Sequence, residues 1–199
     1  LTMESYVNSV VRSCFYQLRQ LRSICSCLTS DAATALVHAF ITSRVDYCNS
    51  VLFGASDRVH RKLQSVLNSA ARLITGRQLY DHLTPIMRDE LHWLPVPQRI
   101  AYKLAIITYN CLHSQGPRYL TDMLQQVVQI PNRQHLRSAQ HGDLVVTRTR
   151  TSRLGTRSFS QSAPATWNSL PPALRRHDLS TEHFKKDLKT YLFSIAYDF

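Results

Sequence analysis

Arginine is the residue type in this sequence whose number and spacing best suit the binding of an anion. One set of cations falls on the polar side of an amphipathic pattern between positions 57 and 76: Arg58, Arg61, Lys62 and Arg72. A second set follows in "RTRTSRLGTR": Arg148, Arg150, Arg153 and Arg157. The guanidinium group presents a planar fork of donors that matches phosphate oxygens. Both sets are therefore candidate nucleic-acid contacts, although the first could equally be an ordinary solvated helix face.

The second set has a spacing that suits an extended chain. Arg148 and Arg150 are two residues apart, so in an extended segment both project to the same side, at a pitch that suits successive phosphates. The alternative is pairing with acids of the same chain. Residues 131–177 contain eight arginines and one acid, Asp143, and this scarcity of acids favours phosphate.

Three aromatic residues could anchor the chain or stack on bases. Phe159 and Trp167 flank the stretch "SQSAPAT", and Trp93 lies in "LHWLPVP". Bases stack on exposed aromatic rings, but an aromatic ring among small residues and prolines more often pins a segment to a core. We therefore predict that all three are structural anchors.

Residues for catalysis or metal binding are hard to find. The one neighbouring acidic pair is Asp89 and Glu90, whereas two-metal polymerases and nucleases need clustered carboxylates. Phosphate-binding glycine loops and the GxSxG motif are absent, and the nine histidines and five cysteines lack the paired spacing of zinc sites. We predict no catalytic residue, no metal site and no cofactor, and reduced cysteines.

The charge balance indicates the kind of partner. Lys and Arg number 24 against 13 acids, which gives a net charge of +11 and a field that attracts polyanions. Nucleic acid is the first partner to consider, and a merely soluble basic protein is the alternative. No apolar run approaches a membrane span, and no signal peptide is evident, so we expect a nuclear or cytoplasmic protein without membrane contact. The opening without Met suggests a piece of a longer chain.

Apolar spacing of three and four residues predicts a mainly α fold. Three amphipathic helices, the second ending at Gly54 and the third running from Ser56 to Gly76, should pack as an antiparallel bundle. "GPRYLTDMLQQVV" predicts a further short helix. The expected division is a thumb-like three-helix unit at 1–77, a helical extension at 78–130, an irregular Arg/Pro-rich arm with a short extended segment at 131–179, and a C-terminal helix at 180–199.

Five blocks of this sequence together resemble a known family. They are "LVHAFITSRVDYCNSVLFG", "LQSVLNSAARLITG", "DHLTPIMRDELHWLPVPQRIAYKLAIITYNCLHSQGPRYLTDML", "VVTRTRTSRLGTRSFSQSAPATWNSLPPALR" and "FKKDLKTYLF". Their succession is similar to the region downstream of the polymerase core in LINE-class, non-LTR retrotransposon reverse transcriptases. The resemblance covers the chain from about Val7 to Phe193 in the family's order.

The resemblance implies a helical thumb that grips the template-primer duplex, followed by a C-terminal extension. The fingers and palm, with the Tyr-x-Asp-Asp motif that binds magnesium, have no counterpart in this sequence, so no catalytic residue is carried over. We expect a non-catalytic fragment of an RNA-directed DNA polymerase. Its partners would be RNA or an RNA–DNA hybrid, and the missing polymerase core, with no small-molecule substrate. The alternatives are a stand-alone helical protein-interaction module, a decayed relic without activity, and an enzyme with an unrecognised site.

Overall fold

A computed structural model describes residues 3–132, 134–147, 155–176 and 178–197 of the chain. The regular elements in this part of the chain are helices and one isolated antiparallel bridge, so the predicted mainly α class is confirmed. The chain divides into two compact units. The first comprises the residues up to Arg99 together with Ala196 and Tyr197, and the second runs from Ile100 to Ile195. The division into four segments stays a prediction.

The first unit begins with helix α1, Met3–Ile24. Its buried side chains recur at helical spacing, as predicted: Val7, Cys14, Leu18 and Leu21. Phe15 also falls in the apolar pattern of spacings of three and four along this helix, but it is 39% exposed. It lies about 100° around the helix from Cys14, which places it at the edge of the buried stripe.

The second predicted helix is shorter than expected. Helix α2, Ser30–Val37, is capped by Thr29, whose side chain accepts a hydrogen bond from the Ala32 amide at 3.2 Å. It continues through one π-helical turn, His38–Thr42, into helix α3, Ser43–Asp46.

The predicted end at Gly54 is wrong because Cys48 interrupts the helix. Its backbone is left-handed, with φ of 51°, which no residue inside a right-handed helix adopts. The chain then makes one short 3-10 turn at Asn49–Leu52.

Helix α4, Asp57–Thr75, has the predicted bounds. It starts after Ser56 and ends at Gly76, whose φ of 65° is the left-handed conformation that glycine adopts most easily. The buried stripe consists of Val59, Leu63, Val66, Leu67, Ala70, Ala71 and Leu73.

The helices of this bundle alternate in direction. The Tyr6 hydroxyl donates to the Tyr47 carbonyl at 3.4 Å, and Arg44 donates to Ser13 Oγ at 2.6 Å. Position 6 thus meets 47 and position 13 meets 44, so α1 and the helical stretch of α2 and α3 run in opposite directions.

Helices α1 and α4 run in the same direction. Lys62 Nζ donates to Asn8 Oδ1 at 2.7 Å near the start of both helices, and Cys25 Sγ lies 3.8 Å from the Leu73 carbonyl near their ends. The two helices also pack extensively along their lengths. The parallel arrangement brings two rows of cations side by side.

Helix α5, Val96–Leu112, contains the boundary between the two units.

In the second unit, helix α6, Arg118–Thr121, is only one turn long, so the prediction of a helix over "GPRYLTDMLQQVV" is wrong beyond Thr121. Gln126 is extended there because it pairs with Leu144 in the isolated bridge.

The remaining helices of the second unit are α7, Arg137–Gln140, α8, Phe159–Asn168, and α9, Thr181–Tyr197, whose last two residues group with the first unit. Helix α8 corrects the expectation of an irregular arm from 131 to 179. It forms despite Pro164, which removes one backbone hydrogen bond of the helix. Its buried residues give it a core-facing side that compensates for this loss.

Candidate nucleic-acid interface

The cations of α1 and α4 form a surface that we call the basic face. Its members are Arg12, Arg19 and Arg22 of α1 and Arg58, Arg61, Lys62 and Arg72 of α4. The two helices contain only two acids, Glu4 and Asp57. Both acids stand in the first turn of their helix, where a carboxylate interacts favourably with the helix dipole.

The α4 half of the basic face follows from helix geometry. At 100° per residue, Arg58, Arg61, Lys62 and Arg72 fall within an arc of about 100° on the side away from the buried stripe. Arg58 and Arg61 are exposed, and Lys62 and Arg72 are half-buried. The fourteen residue steps from Arg58 to Arg72 span about 21 Å at 1.5 Å per residue. This length corresponds to about six phosphates of a stacked strand at 3.4 Å per nucleotide.

The α1 half was not assigned a function from the sequence. Asn8, Arg12, Arg19 and Arg22 recur at intervals of four, seven and three, which places them on one side of α1. Because Asn8 accepts a hydrogen bond from Lys62, this side adjoins the cations of α4. The helical spacing of the three arginines was visible in the sequence, but only the parallel packing of α1 and α4 brings them beside the second row.

Most donors of the basic face are available to a ligand. The side chains of Arg12, Arg19, Arg22 and Arg58 form no hydrogen bond or ion pair within the part of the chain that the structure describes. Arg61 reaches the Asp57 carbonyl at 3.4 Å, a weak exposed contact.

The predicted contacts in the second unit are distributed differently. Arg148, Arg150 and Arg153 lie outside the described residues. Arg157 is half-buried in a short turn, Gly155–Arg157, directly before α8. The structure therefore brings the α4 set together on one face and leaves the "RTRTSR" stretch without a structural description.

The acid of this region is engaged by an arginine that the sequence did not single out. Arg175 donates to Asp143 Oδ1, and the two side chains are 6% and 24% exposed. Burial lowers the pKa of the Arg175 guanidinium, as expected for a cation removed from water. Asp143 offsets part of that desolvation. Arg175 is thus a structural arginine.

Trp167 and Asn168 hold α8 to the preceding chain. The Trp167 ring is 2% exposed, lies 5.9 Å from the Phe184 ring, and donates through Nε1 to the Gly142 carbonyl at 3.0 Å. Asn168 accepts from the Leu144 amide and donates to the Leu144 carbonyl, both at 2.8 Å. The two side chains of α8 therefore fasten the short extended segment of the second unit. Phe159, at the start of α8, is half-buried.

Trp93 lies in the core of the first unit. It is 5% exposed, the His38 ring meets it edge-on at 5.7 Å, and the Arg99 guanidinium lies 5.7 Å from its ring centre. The Tyr197 hydroxyl donates to its carbonyl at 2.6 Å. Arg99 also pairs with Asp46 at 2.7 Å. These contacts attach the segment before α5 to the rest of the unit.

The acidic pair at positions 89 and 90 is engaged in ion pairs at the surface. Arg88 donates to both carboxylate oxygens of Asp89, at 2.6 and 2.8 Å, and these hydrogen bonds lower the pKa of Asp89. Glu90 lies 3.6 Å from Arg77. Among the residues described, no three histidine, cysteine or acidic side chains are grouped to hold a metal ion.

None of the described helices is long and apolar enough to span a bilayer. Comparisons of the chain with protein-family models, with curated protein sequences and with solved structures give no match.

Proposed function

We propose that this chain binds RNA or an RNA–DNA hybrid through its basic face. In this proposal it corresponds to the thumb and downstream extension of a LINE-class retrotransposon reverse transcriptase and carries no catalytic residue of its own. The five sequence blocks support the family, and the basic face supports the binding role.

The observation that carries the binding role is the side-by-side, parallel packing of α1 and α4. Seven cations from two helices lie on adjoining surfaces, against two acids at the helix starts. Axes of packed helices lie about 8 to 10 Å apart, so the two rows present a continuous positive strip. Such a strip neutralises phosphates along a backbone and binds with little dependence on sequence.

The test is the salt dependence of binding to labelled single-stranded RNA and to an RNA–DNA hybrid. The chain is compared with the double variant Arg58→Gln/Arg61→Gln. Each lost phosphate contact lowers the slope of log K against log salt by about 0.7 on a single strand and about 0.9 on a DNA duplex. The double variant should therefore bind more weakly, with a slope reduced by about 1.4 on single-stranded RNA.

The matched control is Lys103→Gln/Lys186→Gln. Both lysines are exposed, and their side chains form no hydrogen bond or ion pair with any described residue. This variant removes the same charge from the second unit instead of from the basic face, and it should keep its affinity within about twofold. Equal losses of affinity in both double variants would show that binding depends on the net charge alone and not on the basic face. Absence of binding by the unaltered chain at low salt would refute the proposal.

A second candidate function is protein interaction, favoured by exposed aromatic residues in the first unit. Tyr6 and Tyr47 are 40% and 69% exposed and line a groove of about 430 Å³ with Val10, Ser43 and Arg44. In this case the partner is a protein surface such as a polymerase core. A Tyr6→Ser/Tyr47→Ser variant that loses a protein partner but retains RNA binding would separate this function from the first.

A further inference from the structure

A pocket of about 440 Å³ opens at the end of the basic face, where α1 and α4 both terminate. Its volume lies within the range of small-ligand pockets. It is lined by Arg22, Cys25, Arg72, Leu73, Gly76, Arg77 and Leu79. Among the residues that the structure describes, three arginines and no acid line this pocket, which suits an anion.

The arginines of this pocket have donors to offer. Arg22 forms no hydrogen bond or ion pair with the described residues. The Arg72 side chain makes one hydrogen bond to the described residues, from Nε to the Gln78 carbonyl at 3.0 Å, so its terminal nitrogens remain for a ligand. Arg77 lies 3.6 Å from Glu90, with both side chains 51% exposed, and an ion pair this exposed contributes little.

The turn that follows α4 carries an exposed aromatic residue next in sequence to a residue that lines this pocket. The Gln78 amide donates to Asp81 Oδ2 at 2.7 Å, and the Gln78 carbonyl accepts from the Asp81 amide at 3.3 Å and from Arg72. The turn is thus fastened at both ends and to α4. Leu79 lines the pocket, and the next residue, Tyr80, is 91% exposed.

We infer that this pocket holds a backbone phosphate of a single-stranded nucleic acid and that the neighbouring base stacks on Tyr80. The inference rests on the proposed binding function and specifies its substrate. A base must be unpaired and unstacked to meet an aromatic side chain, whereas a duplex hides its base faces. The arginine guanidinium groups donate hydrogen bonds to the phosphate. The hydrogen-bonded turn holds the backbone of Tyr80 in place, which lowers the entropic cost of stacking.

The test compares Tyr80→Ala on three probes: single-stranded RNA, single-stranded DNA of the same sequence, and a blunt RNA–DNA hybrid. Stacking on an aromatic side chain changes single-strand affinity by about tenfold per base. We expect a loss of about this size on both single strands, no change on the hybrid, and rescue by Tyr80→Phe. Tyr119→Ala is the matched control, because Tyr119 is 65% exposed and outside the pocket.

A second variant tests the phosphate part of the site. Arg22→Gln should weaken single-strand binding and reduce its salt slope by about 0.7. An unchanged single-strand affinity in Tyr80→Ala, or equal losses on strand and hybrid, would overturn the inference.

The same experiment separates the inference from the function on which it rests. If Arg58→Gln/Arg61→Gln weakens binding while Tyr80→Ala and Arg22→Gln do not, the pocket inference fails and the binding function stands. If the unaltered chain binds none of the probes, both fail.

Discussion

Arginine is abundant in both units of this protein, but the basic face of the first unit and the chain around α8 in the second unit use it in different ways. In the first unit, the arginines of the basic face stand on the solvent side of α1 and α4, and most of them have no partner among the described residues. In the second unit, Arg175 is buried and paired with Asp143, and Arg157 is half-buried. The density of arginine along a sequence therefore does not identify a phosphate-binding surface.

The difference has a physical cause. An arginine on the polar side of a long amphipathic helix keeps its guanidinium in water because its neighbours at three and four residues are also exposed. An arginine among prolines and short turns can be drawn into the core if an acid compensates it. The one acid of residues 131–177, Asp143, does this for Arg175.

The largest effect on stability is expected in the second unit, at Trp167. Trp167→Ala removes a ring that is 2% exposed and packs near Phe184, and truncation of such a ring destabilises by about 3 to 5 kcal/mol. The free energy of unfolding is measured by urea denaturation with circular dichroism. Tyr80→Ala serves as the control because that ring is 91% exposed. A loss below about 1 kcal/mol would contradict the role of Trp167 as an anchor.

The next effect separates a structural arginine from a binding arginine. Asp143→Ala leaves the Arg175 guanidinium buried without its counter-charge. We expect a loss of about 2 to 3 kcal/mol, less than for a fully buried pair because the Asp143 side chain is 24% exposed.

The double variant Asp143→Ala/Arg175→Met is the control for this pair. It replaces the ion pair by apolar groups and should recover most of the lost stability. Nucleic-acid affinity should fall little in either variant after correction for the unfolded fraction. A stable Asp143→Ala protein with altered affinity would place Arg175 among the binding residues instead.

Local signals in the sequence predicted much of the first unit. Ser56 and Gly76 mark the ends of α4, and the apolar spacing between them identifies the buried stripe. The cations opposite this stripe were candidates for the same reason. Such features depend on residues within a few positions of one another, so one sequence is enough to find them.

Features that depend on distant residues were not predicted. The pairing of Arg175 with Asp143 joins positions 32 apart, and the contact of Lys62 with Asn8 joins positions 54 apart. Helix α8 was missed because Pro164 and several serines weaken its local signal, while burial of Trp167 against Phe184 stabilises it. Tertiary packing, which the sequence pattern does not show, decides these cases.

The smallest effect is expected on the stability of the basic face itself. The Arg58 and Arg61 side chains are exposed, and their one hydrogen bond to the described residues is the weak one from Arg61 to the Asp57 carbonyl. Arg58→Gln/Arg61→Gln should therefore change the free energy of unfolding by less than about 0.5 kcal/mol. Like charges at positions 58 and 62 repel across one helical turn, and their relief should give a gain of about 0.2 to 0.5 kcal/mol at low salt.

This gain should vanish at 1 M salt, where the Debye length falls to about 3 Å. Urea denaturation at low and high salt measures it. A loss above about 1 kcal/mol would mean that these arginines support the fold, as Arg175 does, and would remove the contrast between the basic face and Arg175. An unchanged free energy of unfolding, or a gain that disappears at high salt, together with weaker RNA binding, would mean that these cations slightly destabilise the fold. This is the result expected for a surface that binds a polyanionic partner.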